Sequence, residues 1–256
     1  MATEWHRIIG VTHAPMGLAR RDRLFDEHIR ILGNRMVTQD WNEPLMVTIT
    51  EGEVNAAIWS MARYMAPGLD QLPMDFFADC RRELAPWLAP QFDAILKGGA
   101  MLRTFKEGLI ILLRKNRDSD NALDYRPITL LQSCCHVFAK MLTIRVQLGL
   151  QTLVRDTQQG FVKSRLLERS VTLMQAVLHE RYNDTSEHAD EAAAVILLDF
   201  MKEYDTLDRK FLLVLRNFGF AVDLVALIER RHDDTTARFA VNGELSTEVM
   251  IRSGIR

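Results

Sequence analysis

Ala194-Val195-Ile196-Leu197-Leu198-Asp199-Phe200-Met201-Lys202-Glu203-Tyr204-Asp205 is the stretch on which the reading of this chain turns. An unbroken apolar run, β-branched at Val195 and Ile196, ends in a carboxylate, with an aromatic residue five positions further on. Such a run predicts a strand buried on both faces. A buried strand that delivers an Asp at its end holds a negative charge at the rim of a core, where a divalent cation is a natural partner. An Asp in this place also serves to cap a strand-to-helix turn, and the segment alone leaves both uses open.

Around this run the punctuation is regular. Thr50 and Glu53 form a capping-box pair that predicts a helix start, followed by an apolar stripe of Val54, Ala57, Ile58 and Met61. Pro67-Gly68 stops that helix, a second runs over 73–84, and Pro86 and Pro90 punctuate the residues beyond it. Residues 108–113 read as a strand leading into the basic Arg114-Lys115-Asn116-Arg117. Residues 131–150 predict a helix with Val137, Met141, Ile144 and Leu148 inward and Lys140 and Arg145 on other faces. Residues 166–182 repeat the pattern, and a polar loop over 183–189 precedes the decisive run. Two helices, 211–218 and 222–231, are split by Gly219. Residues 238–241 and 248–251 flank Asn242-Gly243, a dipeptide that favours a tight hairpin. The run over 194–200 is expected to lie antiparallel to that hairpin.

With 256 residues, 48% of them hydrophobic, the chain can bury a sizeable core. Its three cysteines, Cys80, Cys134 and Cys135, lack metal-binding or disulfide spacing, so buried thiols in a reducing, intracellular setting are expected. No apolar run reaches membrane-spanning length, and residues 1–7 lack the apolar core of a secretion signal. The net charge of −2 hides a division. Residues 101–182 carry 13 Lys+Arg against 7 Asp+Glu, and residues 183–210 carry 3 against 8. Cations to hold phosphates followed by carboxylates to hold metal suit a nucleic-acid enzyme, and ordinary solvated faces also carry such blocks.

Further motifs flank the run: Ala66-Pro67-Gly68-Leu69-Asp70-Gln71-Leu72-Pro73, Asp124-Tyr125-Arg126-Pro127-Ile128, Gln158-Gln159-Gly160-Phe161, Asn217-Phe218-Gly219-Phe220 and Asn242-Gly243-Glu244. In this order and at these spacings the set resembles the reverse transcriptase of non-LTR (LINE-like) retrotransposons, over roughly residues 45–256. The resemblance implies an α+β fold, the fingers and partial palm of a right-hand polymerase with the thumb absent. Residues 1–44 would be an upstream linker region, 45–182 the N-terminal extension and fingers, and 183–256 the partial palm. The implied activity is RNA-directed DNA polymerisation by two-metal nucleotidyl transfer. The implied partners are an RNA template, a DNA primer and deoxynucleoside triphosphates, with two Mg²⁺ ions as cofactors, no membrane and a nuclear location.

Residue by residue, the resemblance makes Asp199 the first catalytic metal ligand, with the Phe200 backbone carbonyl beside it. Tyr204 would pack under the incoming sugar, and Arg126 and Lys115 would meet its triphosphate; guanidinium suits phosphate because it is always charged and can be bidentate. Gln158, Gly160, Phe161, Lys163 and Arg165 would lie along template or nucleotide. For Asp205 and Asp208 the better reading is structural, since acidic residues favour helix starts. The chain departs from the family pattern in two ways. Glu203 replaces a small Ala beside the triphosphate, which disfavours efficient catalysis unless it turns outward. Beyond Arg256 the family's Q-G-x-P-L-S and x-D-D motifs would follow, and the second catalytic carboxylate belongs to the latter. Asp233-Asp234, after an amphipathic helix, is not expected to replace it. The alternative is a truncated, non-catalytic remnant that at most binds nucleic acid.

Overall fold

The computed structural model describes residues 2–10, 20, 23, 35–115, 121–183, 195–200 and 202–255. Arg21, the Asn116-Arg117 pair, Ala194, Met201, Arg256 and nearly all of the expected 183–189 loop lie outside the described residues.

The helical part begins with α1 (Ala2–Ile9), α2 (Gln39–Met46) and α3 (Glu51–Trp59). At the start of α3, Thr50 Oγ1 accepts from the Glu53 amide at 3.2 Å and Glu53 accepts from the Thr50 amide at 3.0 Å, completing the capping box. Next come α4 (Met74–Asp79) and α5 (Arg81–Leu96), separated by Cys80 where one continuous helix was expected. Pro86 and Pro90 do not punctuate; α5 runs straight through them. Both prolines face solvent, where water satisfies the carbonyls they leave unpaired, while Ala85, Ala89, Phe92 and Leu96 bury the opposite face.

After the short α6 (Arg103–Lys106), strand β1 (Glu107–Arg114) pairs antiparallel with β2 (Tyr125–Leu130), placing Leu113 opposite Arg126. Pro127 is tolerated because β2 is an edge strand. Then follow α7 (Ser133–Gln147), α8 (Leu150–Leu153), α9 (Glu168–Tyr182), α10 (Glu203–Thr206), α11 (Val214–Asn217) and α12 (Val222–His232). Strand β3 (Thr235–Val241) lies parallel to β1 on one side. On its other side it pairs antiparallel with β4 (Glu244–Leu245) and β5 (Val249–Ile251). The β3–β4 turn is the expected one, with Asn242 and Gly243 at φ 53° and 83°.

Two hydrophobic clusters hold these elements. The larger joins α2, α3, α5, α7 and α12 around Phe92, Phe105 and Phe138, whose ring centroids lie 5.1–6.3 Å apart. The smaller lies on the sheet, where Trp5 and Ile9 of α1 meet Ile110, Ala237, Phe239 and Ile251. Residues expected to link an upstream domain therefore supply a wall of the sheet core.

Two further expectations are corrected. Residues 195–200 form no strand; they have no regular secondary structure, and their apolar side chains are exposed. Of the hairpin strands, β3 is already bonded by β1 on one side and by β4 and β5 on the other, so it offers no free edge to this run. In α7 the inward stripe runs Val137, Met141, Arg145, while Ile144 and Leu148 are exposed.

Candidate functional site

The basic end of the β1–β2 pair carries two of the expected nucleotide contacts. Arg126 and Lys115 are both exposed, and strand alternation sets Arg126 on the face of Leu113, two residues before Lys115. The neighbouring Arg114 is turned to Tyr125, donating to its hydroxyl at 2.9 Å with the guanidinium 5.5 Å from the ring centre.

The segment after Asp199 folds back toward this end. Lys202, in a left-handed conformation with φ 54°, places Nζ 4.4 Å from the centre of the buried Trp5 ring. Burial, and then the charge of Lys115, push the Lys202 ammonium below its ordinary pKa, with Asp205 and Asp124 opposing. Burial raises the Asp205 carboxyl, against the pull of Lys202 and Lys115. Lys115 is thus brought to the turn that carries Tyr204. The Tyr204 ring is 54% exposed, and its carbonyl accepts from the Ile255 amide at 2.9 Å. Glu203 is exposed and so turned outward. Asp208 caps the following 3₁₀ turn by accepting from the Lys210 amide at 3.0 Å, a structural use. Neither Lys202 nor its Trp5 partner was legible beforehand, since a left-handed backbone at a non-glycine residue leaves no sequence signal.

The loop over 158–165 is built from within. Arg165 donates to the carbonyls of Arg155, Gln158, Val154 and Gln151 at 2.6–3.4 Å, and lies 3.5 Å from Asp156. Its side chain is only 11% exposed, so this guanidinium braces the loop instead of facing a ligand. Gln147 accepts from the Lys163 amide and donates to the Phe161 carbonyl, and Gln151 donates to the Lys163 carbonyl, tying the loop to α7 and α8. Gln158 is exposed and bonds the Gly160 carbonyl at 3.3 Å. Phe161 stands at φ 62° with its ring 87% exposed, and Lys163 is exposed beside it. A bulky residue held left-handed with its ring in water is a strained arrangement of the kind found at ligand clamps.

Asp199 and Phe200 are both exposed in the irregular 195–200 segment. Asp233 and Asp234 occupy the exposed turn between α12 and β3, with Asp234 at φ 50°. Two-ion chemistry requires carboxylates to converge on a pair of cations. Among the described residues no group of three or more His, Cys, Asp and Glu is gathered that could hold a metal ion. As placed, these residues do not fit a pair of Mg²⁺ ions. Among them, too, no helix is long and apolar enough to cross a membrane.

No family model matches the chain. Over 225 residues, 88% of its length, it is 24% identical to the transposon TX1 uncharacterized 149 kDa protein of Xenopus laevis. The matched part is 17% of that protein, so the chain spans a small share of the curated relative it resembles. The similarity is to a protein encoded by a transposon.

Proposed function

We propose that the chain is the fingers and partial palm of an RNA-directed DNA polymerase of a non-LTR retrotransposon. The ordered set of motifs from residue 66 to residue 244 carries this reading, and the similarity to a transposon protein supports it. An RNA template lies along the 158–165 loop, where the exposed Phe161 ring offers a stacking platform and Lys163 a phosphate contact. Lys115 and Arg126 receive the phosphates of the incoming deoxynucleotide, with Tyr204 against its sugar. Arg165 acts indirectly, by holding the loop's shape.

A second reading, binding of nucleic acid without polymerisation, is favoured by the isolated placement of Asp199. Filter binding of a single-stranded RNA across a salt series tests the shared part of both. Arg126→Ala with Lys163→Ala should flatten log K against log salt by roughly 1.4, the share of two phosphates on a single strand. Phe161→Ala should weaken binding by about 1–3 kcal/mol with the slope unchanged. Absence of affinity at low salt, or an unchanged slope in the double variant, overturns the assignment of these residues. Primer extension with Mg²⁺ then separates the readings. Template-dependent extension that Asp199→Ala abolishes supports the polymerase, and binding without extension supports the second reading.

A further inference from the structure

A cavity of about 610 Å³ opens between the end of α7, α8 and the turn that follows α11. Leu150, Phe218 and Phe220 form its apolar wall, and Arg35, Arg155 and Gln158 stand among its lining residues. The volume falls within the range of small-molecule sites, which combine apolar walls with a few convergent polar groups.

The wall is rigidly built. Gly219 at φ 85° reverses the chain between the two phenylalanines, and a Cβ there would meet the Val37 carbonyl at 3.2 Å. Asn42 clamps the reversal from both sides, donating to the Gly219 carbonyl at 2.7 Å and accepting from the Ala221 amide at 2.8 Å. The Val37 amide donates to the Phe218 carbonyl at 2.8 Å, and the Trp41 ring packs 5.6 Å from Phe220.

The electrostatics are one-sided. Arg35 and Arg155 are among the residues that line the cavity; among the described residues no carboxylate lines it and neither arginine forms an ion pair. The nearby Asp156 is turned to Arg165. A neutral apolar ligand would offer these cations nothing beyond the water they already meet, whereas one negative group on an apolar body gives them a charged partner.

We propose that this cavity binds an amphipathic anion, a molecule with an aliphatic or aromatic body and a single acidic head. The body lies against Leu150, Phe218 and Phe220, and the head meets Arg35 and Arg155. The site borders the 158–165 loop through Gln158, and its test, on small ligands alone, can fail without the polymerase reading failing.

Isothermal titration of the full chain with decanoate, and with the neutral isostere decanamide, tests the assignment. Decanoate should bind saturably at one site, about tenfold more tightly than decanamide, the scale of a charge-assisted hydrogen bond. Arg35→Gln with Arg155→Gln should abolish that preference while leaving decanamide binding unchanged. Leu150→Trp, with folding checked by circular dichroism, should block both ligands by filling the cavity. Val177→Asp on the remote α9 should change neither. Equal affinity for the two ligands, or decanoate binding that survives Leu150→Trp, overturns the proposal.

Discussion

At Arg145 one guanidinium meets both oxygens of Glu53, at 2.8 and 2.9 Å, and the carbonyls of Leu45 and Val47, at 3.0 and 2.7 Å. The pair fastens α7 to the start of α3 and to the end of α2. Removing one member of a buried pair leaves an uncompensated charge. Glu53→Gln should therefore destabilise the chain by about 3 kcal/mol in urea denaturation, the low end for such pairs because Glu53 is partly open to solvent. The Arg145 hydrogen bonds come first among the causes that hold the Glu53 carboxyl below its ordinary 4.5. A depressed carboxyl contributes its stability in full above the unfolded value, and that share is lost as pH falls through the folded one. The variant should lack this acid-dependent loss. Sequence pattern put Arg145 on an outer face and the family resemblance put Arg165 along template or nucleotide, and in the structure both guanidinium groups brace the chain internally. The pattern registers an apolar stripe and has no means of registering a carboxylate 92 residues away, or four carbonyls converging from residues 151–158.

The elements that sequence revealed best are those fixed by local chemistry. The Thr50–Glu53 box and the Asn242-Gly243 turn each rest on a few adjacent residues, and both formed as expected. The 195–200 run depended on a distant neighbour, since a strand needs an edge to bond, and that lies beyond local reading. Helix α9 shows the same divide. Its period was legible, yet none of its residues is buried, and Val171, Leu173, Val177 and Leu178 are all exposed. An isolated helix of this length is marginal without tertiary packing. Hydrogen exchange should therefore find the α9 amides far less protected than those of α7, whose Val137, Phe138 and Met141 are almost wholly buried. Equal protection of the two helices would mean that α9 is covered in solution.

For the molecule as a whole, the first residues matter more than a linker would. Trp5 is fully buried, its indole N–H donates to the Ala122 carbonyl at 3.1 Å, and the Lys202 ammonium lies over its ring. Trp5→Ala should cost about 3–5 kcal/mol, the usual range for a large aromatic removed from a core. A loss below about 1 kcal/mol in urea denaturation would show that α1 is not part of the sheet core. The packing of α1 on the sheet was not legible in residues 1–44, because its partners are strands about a hundred residues or more away. The helical cluster drew on long amphipathic stripes and was legible.

The joining of α1 to the far end of the chain also sets an order of events in time. The Ile9 carbonyl accepts from the amides of Arg252 and Ser253, and Ser253 Oγ reaches the Ile8 carbonyl across 245 residues. A chain made from its N-terminus presents Trp5 and Ile9 long before β3 and β5 exist to cover them. The α3–α5–α7 cluster can close early, on contacts nearer in sequence, whereas the sheet closes last and slowly. Throughout synthesis the first helix is thus an uncovered apolar surface of the nascent chain, the part most in need of a chaperone.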